Sequence, residues 1–387
     1  MKKLLAALIS ILFIGLVVIS SSATEINPIK ATAESIEGNK LYVGGSGQEN
    51  YTRIQDAIDN TSNGDTVFVY DDLSPYLENI VIDKSIILQG ENKNTTIIDG
   101  NYNDDVVYIS ADFVHLRDFT IINSGKYDFD VGIEIISDYN NIFNNCIFDN
   151  EGDNLVSGGI LINSSSNNTI HLNKIYSNNY DGISIINSNG NHIHNNEIFE
   201  NKRLGITLTN SSFNIIENNE VYENYCGICL YPNSTYNIVK NNNVYNHPCC
   251  GIALKQFSNY NLIQYNLVID NLAHGIMLGP GPTMKNTVEM NTVSGILPSP
   301  LFPNAAIVLK NAFFNTIKKN NIIDNYRKVI LDCSFCNLWW NNYWDRYLDF
   351  GPKVIIGWIY FPFKLNIIIP WFNFDLYPAK EPHYING

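Results

Sequence analysis

The sequence predicts an all-β chain wound as a right-handed, single-stranded parallel β-helix, and three observations carry that reading. The pattern Asn-x-apolar-x-x-Asn-x-apolar occurs nine times, its first Asn running from Asn140 to Asn337 and its second from Asn145 to Asn342. Successive copies lie 22 to 29 residues apart, with 23 the commonest step. Gly-Ile-x-apolar keeps the same beat at Gly159, Gly182, Gly205, Gly227, Gly251 and Gly275. Within each repeat, apolar residues alternate with polar ones, as at Ile183 and Ile185, then Ile193, then Ile198, which marks three short strands per coil. No 3.6-residue period is sustained, and Gly and Asn are poor helix formers. Strands that recur at ~23 residues and all travel the same way build a stacked solenoid of about nine regular coils.

The Asn columns have a physical reason. At a corner, Asn tolerates αL geometry, and its amide can donate to and accept from the identical residue one coil away, ~4.8 Å along the axis. These residues are therefore structural, and none of them is a catalytic candidate.

Taken in order, the chain opens with Lys2 and Lys3, an apolar run over 4–19, and the small residues Ser21 and Ala23. Residues 1–23 thus read as an export signal and 24–40 as a linker, which puts the protein outside the cytoplasm, secreted or at the cell surface. An uncleaved anchor is the alternative and the one membrane attachment expected, although a span needs roughly 20 apolar residues. The β-helix domain follows at 41–345. Thr52 and Gln55 spell a capping box for an amphipathic helix to about Asp59, with Ile54, Ala57 and Ile58 inward, closing the first end of the stack. Irregular coils come next, with strands near 67–70, 80–82, 86–88, 96–98, 106–109 and 119–122, before the regular coils of about 132–345. From 346 to 387 the repeat is lost and Trp, Phe, Ile and Pro predominate. This segment, with its apolar run at 354–369, reads as an aromatic C-terminal cap.

A formal net charge of −14 excludes nucleic acid and anionic lipid as partners, because neither would meet a basic patch. Only 16% of residues are charged, so uncharged polar groups cover most of the surface.

The opening Tyr51-Thr-Arg-Ile-Gln-Asp-Ala-Ile58 with Gly64-Asp-Thr-Val67, the laddered coils, and the closing Asn341-Asn-Tyr-Trp-Asp345 together resemble the NosD-like group of right-handed parallel β-helix proteins. That group belongs to the broad class of pectate-lyase-like and carbohydrate-binding or sugar-hydrolase repeats, and the chain looks most like its exported archaeal members. The resemblance implies a pectin-lyase-like solenoid over about 41–345. It leaves activity open, since such folds host lyases, hydrolases, epimerases, adhesins and accessory proteins. The group's association with copper-site maturation implies copper as a cofactor to consider.

Residues at equal repeat phase stack one above another, so a site should appear as a cluster on neighbouring coils. Phe148, Tyr176, Phe199, Tyr222 and Tyr245 share one outward phase and would form a stripe about 20 Å long. Such rings can stack on sugar faces, or on one another to stiffen the sheet. His171, His194 and Glu217 occupy a second column, beside His192, and could hold a divalent metal or act as an acid–base set. That column continues through Lys240, Gln264, Glu289 and Lys318 as an ordinary solvated face would. Glu197 above Glu220 matches the ~5 Å carboxyl separation of a retaining glycosidase, and equally the solubilising charge of a surface. The compact Asp, His and Arg-Lys signatures of polygalacturonases are missing. Cys226 and Cys250 share a phase and are disulfide candidates in an exported chain, with Cys229 and Cys249 close by. Alternatively Cys226, Cys229, Cys249, Cys250 and His274 could collect a soft metal. The expectation is a non-catalytic surface protein that needs no cofactor and meets polysaccharide through the aromatic stripe. A polysaccharide lyase or hydrolase is the alternative, and a copper-handling accessory protein a second.

Overall fold

The computed structural model describes residues 38–127, 129–152, 158–298, 303–347, 351–361 and 367–385. The expected export signal and most of the linker lie outside the described residues. None of the described helices is long and apolar enough to cross a membrane.

One coil shows how the rest is built. Asp181–Ile186 is its first strand, His192–His194 its second and Glu197–Phe199 its third. Each pairs in parallel with the equivalent strand of the next coil, Leu204–Thr209, Ile215–Glu217 and Glu220–Tyr222. Among the described residues, twelve successive parallel pairings join thirteen second strands, from Lys40–Val43 to Leu338–Trp340. The irregular N-terminal coils therefore belong to the same stack as the nine regular ones, giving about thirteen turns. Strands expected near 67–70, 80–82 and 119–122 occur at Thr66–Val69, Ile80–Ile82 and Thr120–Ile122.

Inward residues form continuous aliphatic columns. Ile183, Ile185, Ile193 and Ile198 are fully buried, as are their partners Ile206, Leu208, Ile216 and Val221 on the next coil. Each such side chain contributes roughly 1.5–3 kcal/mol through burial. Glycine is required where the first strand begins. A Cβ at Gly205 would lie 2.5 Å from Val221 Cγ1 and 2.9 Å from Gly227 O, so the Gly-Ile marker records a close crossing over the third strand.

The asparagine ladder follows a more particular geometry than expected. Asn219 Nδ2 donates to Ile193 O at 2.9 Å and to Asn242 Oδ1 at 3.0 Å, while Asn219 Oδ1 accepts the Asn196 backbone N–H at 3.0 Å. The side chain thus satisfies backbone groups that the corner leaves without partners. The αL residue is the one before each rung: Asn144, Leu172, Asn195, Asn218, Asn241, Tyr265 and Met290 all have positive φ, and the rung Asn residues do not. A third ladder, Asn150, Asn178, Asn201 and Asn224, parallels the two foreseen. In it His247 replaces Asn, with its two ring nitrogens facing Asn224 O at 2.8 Å and Val221 O at 3.1 Å.

The ends differ from expectation in detail. Ile54–Asp59 is helical, and Ile54, Ala57 and Ile58 are buried, but Arg53 is its N-cap and no side chain of the expected capping box caps it. The carboxylate of Glu78 does so instead, accepting from Ile54 N at 2.8 Å and Gln55 N at 3.0 Å. At the other end Lys353–Phe361 and Ile367–Asp375 pair as an antiparallel hairpin. The run at 354–369 is not wholly a core segment: Ile355 is buried, whereas Val354, Ile356 and Trp358 are exposed, because alternation along a strand turns every second residue outward, and Ile369 begins four consecutive exposed residues on the second strand. Asp375 takes the place of the next rung, accepting from Asn341 N, Asn342 N, Asn342 Nδ2 and Trp344 Nε1 at 2.9–3.0 Å.

Replacing Asn219 with Ala strands a buried N–H and a buried carbonyl, each costing roughly 1–3 kcal/mol. A loss of about 3 kcal/mol in urea unfolding is expected; a loss of under about 0.5 kcal/mol, the range of neutral surface changes, would refute the assignment.

Candidate functional site

Three outward faces run along the stack, one per strand of the coil. On the third-strand face Phe148, Tyr176, Phe199, Tyr222 and Tyr245 are in register on successive coils. Their rings stack face to face, with centroids 4.7, 5.0, 4.8 and 5.0 Å apart and interplanar angles of 19°, 2°, 0° and 4°. The expected stripe exists, but its inner rings give both faces to their neighbours, so it presents edges and hydroxyls to solvent. Beside it, Lys174, Glu197 and Glu220 form a polar column. Tyr222 donates its hydroxyl to Glu197 and Tyr245 to Glu220, both at 2.8 Å. Glu197 also pairs with Lys174 at 3.6 Å and is half-buried, whereas Glu220 is exposed with Asn243 on its far side.

On the second-strand face Phe143, His171 and His194 also stack, at 5.0 and 4.8 Å. Ring nitrogens direct their lone pairs in the ring plane, so parallel imidazoles do not aim at one ion. Glu217 instead accepts from His192 Nε2 at 2.7 Å and pairs with Lys240 at 3.0 Å. Burial pushes its carboxyl up, and those two hydrogen bonds outweigh it, leaving the pKa below the ordinary value. His171, His194 and Glu217 are therefore adjacent without forming a ligand set. Among the described residues, two other groups do converge: Asp104 with Asp105 and Asp130, and Cys226 with Cys249 and Cys250.

Both lie on or beside the first-strand face. Burial raises the Asp105 carboxyl well above the carboxylate range, opposed by the Val131 N–H that it accepts at 2.8 Å and reinforced by the charge and hydrogen bond of Glu134. Three coils further along the same column, fully buried Asp181 is pushed up to about 6 by desolvation, against the pull of Arg203, whose Nη1 lies 3.5 Å from it. Asp181 also accepts from Leu204 N at 3.1 Å and Ser184 Oγ at 3.2 Å. The next coils place Cys226 and Cys250 in that column. Cys226, Cys229, Cys249 and Cys250 are thiols in this structure, so the expected Cys226–Cys250 pair is part of a larger sulfur cluster.

Residues 105–258 and 236–343 match the family described as "Right handed beta helix region", which covers well over half of the chain. The chain belongs to the right-handed β-helix family. No curated protein matches it. Among solved structures of this β-helix fold, it is similar to DFA-IIIase from Arthrobacter chlorophenolicus A6 without its lid, at TM-score 0.60 and 15% identity over 79% of this chain and 94% of that one. It is similar also to the A-module of a mannuronan C-5 epimerase from Azotobacter vinelandii, at TM-score 0.50 and 15% identity over 74% and 93%. A double mutant of the periplasmic alginate epimerase AlgG gives TM-score 0.52 at 14% identity, over 82% and 73%. These likenesses establish the fold.

In this β-helix the perturbed carboxyls Asp105 and Asp181 were not among the candidates, although Asp181 stands in the phase just before Gly-Ile that Leu204, Cys226 and Cys250 occupy. A second exposed stack, Phe213, Tyr236 and Tyr260, with centroids 5.2 and 4.9 Å apart, was equally readable as the residue before the first Asn of each repeat.

The histidine stack has a pH signature. Burial, then the neighbouring His192 and His171, push His194 down to about 4 from an ordinary 6.5. Between those values the unfolded chain takes up a proton that the folded one refuses, so the His194 contribution is complete above pH 6.5 and is lost as pH falls towards 4. In His194→Phe, which keeps the stack, unfolding midpoints should fall less between pH 7 and pH 5 than in the wild type. Parallel curves would contradict this.

Proposed function

We propose that this protein is an exported β-helix of the NosD-like group that binds a linear polysaccharide along its third-strand face. The observation that carries the reading is the unbroken stack of five rings, each half-buried and each one coil above the last, beside the Lys174, Glu197 and Glu220 column. A polymer of repeating sugars is met by a surface that repeats its hydroxyls and charges at a fixed step. Because the ring faces are covered, recognition uses ring edges and hydroxyls, with hydrogen bonds to neighbouring carboxylates, rather than sugar–face stacking. Glycan-array binding that is lost when Tyr176, Phe199 and Tyr222 are together replaced by Ala, with β-sheet circular dichroism retained, is the expected result. Absence of binding to any glycan by the wild type, or binding that survives the triple replacement, would overturn the proposal.

A second reading, a polysaccharide lyase, hydrolase or epimerase, is favoured by one specific observation. Asp105 is a half-buried carboxyl whose pKa is raised by desolvation and by the neighbouring Glu134, a direction that suits a general acid. On this reading Asp105→Asn abolishes release of reducing ends or unsaturated sugars, whereas Glu197→Gln and Glu220→Gln leave it intact. The solved relatives named above, two of them epimerases of mannuronan or alginate, support carbohydrate as the substrate class.

A further inference from the structure

Four cysteines and a methionine meet on the outer side of the first-strand sheet, apart from the solenoid core. Cys226, Cys229, Cys250, Leu204 and Ala253 form a small buried cluster of their own, with Tyr231, Cys249 and Met277 packed against it. Topology makes this meeting. Cys226–Leu230, Cys250–Leu254 and His274–Leu278 are first strands of three consecutive coils, so Cys226 and Cys250 stack in one column, and Cys229, Ala253 and Met277 in the next. Cys249 precedes its strand and folds back over the same spot.

The ligand atoms of Cys226, Cys249 and Cys250 lie within 4.8 Å of one another. Cys249 Sγ is 3.7 Å from Cys250 Sγ, and Cys250 Sγ is 3.8 Å from Met277 Sδ. A metal about 2.3 Å from each sulfur in tetrahedral geometry separates the sulfurs by roughly 3.8 Å, so these edges already have the length a tetrahedral site needs. The charge is prepared as well. Lys255 Nζ packs over the Tyr231 ring at 4.9 Å and lies 3.3 Å from its hydroxyl, so a basic side chain stands beside the cluster that Tyr231 packs against. The backbone N–H of Cys250 points at Cys226 Sγ from 3.5 Å, a donor that suits a sulfur bearing negative charge. On the next coil, opposite Cys250 in register, His274 keeps a buried Nδ1 that has no hydrogen-bond partner among the described residues.

We propose that Cys226, Cys249 and Cys250, with Met277 as a thioether fourth ligand, form a binding site for one soft d10 cation. Thiolate and thioether donors select Cu(I) over harder ions, and Zn(II) would be held by the thiolates alone. Loading releases the remaining thiol protons to solvent, and no electron is transferred if the ion arrives as Cu(I). The ligand set differs from the sequence reading: Cys229 and His274 are not among the converging ligand atoms, and Met277 enters because its Sδ lies 3.8 Å from Cys250 Sγ, the spacing of two sulfurs on one ion.

The test uses the full chain, reduced and handled without oxygen, titrated with Cu(I) against a competing chelator and separately with Zn(II). One equivalent of Cu(I) should bind, and alkylation mass spectrometry should then show Cys226, Cys249 and Cys250 protected, with half-buried Cys249 reacting in the metal-free protein and exposed Cys336 reacting in both. Met277→Leu, which keeps the apolar packing, should weaken Cu(I) at least tenfold and leave Zn(II) within twofold. Cys250→Ser should abolish both, and Cys336→Ser neither. Failure to bind either ion after reduction, uptake unchanged in Cys250→Ser, or alkylation of all three thiols in the metal-treated protein would each overturn the site. The alkylation result needs no variant, so it decides the question even where a substitution prevents folding.

Discussion

The side-chain amide of asparagine both accepts from a backbone N–H and donates to a backbone carbonyl while repeating itself at the coil spacing, and the column of Ser165, Ser188 and Ser211 does the same with hydroxyls at another corner. Everything else depends on that. Each corner turns the chain through an αL residue, at roughly 1–2 kcal/mol for a non-glycine, and leaves buried backbone groups without a strand partner. The rung that follows satisfies them, as Asn219 does for Asn196 and Ile193, and passes the register to Asn242. Because the ladder fixes where each coil turns, the isoleucine columns fall inside and every outward position aligns with its equivalents above and below.

That alignment is what turns a repeat into surfaces. Small differences at one phase become a property of a whole face: aromatic on the third strand, histidine and ion pairs on the second, carboxyl and thiol on the first. Aromatic residues at one phase stack, and stacking hides ring faces. The same geometry that gathers Tyr176, Phe199 and Tyr222 thus limits them to edge contacts, and the same geometry that aligns His171 with His194 keeps their nitrogens from sharing an ion. Converging groups arise where a strand start lets a neighbour fold back, as Cys249 does over Cys226 and Cys250.

Strands, core and two of the three ladders were legible because they depend on periods of two and about 23, which a sequence displays directly. What was not legible depends on contacts across the stack. Glu78 caps the helix at Ile54 from 24 residues away, where a local capping box at Thr52 and Gln55 was the natural expectation. Asp375 completes a ladder from a segment that has lost the repeat, and neither residue type nor spacing marks it. The αL residue was assigned one position late because Asn is both the usual αL residue and the usual rung. Cys226 and Cys250 were readable as stacked, but Met277 entered their cluster only through the register of a third coil.

Hydrogen exchange of backbone amides, resolved along the chain, tests the ladder most directly. If asparagine side chains are the acceptors at the corners, the N–H groups of Asn145, Asn173, Asn196, Asn219 and Asn242 should exchange as slowly as those of the adjoining strands, with protection continuous from coil to coil. Corner amides that exchange orders of magnitude faster than the strands around them would mean that the turns are held by something other than the ladder.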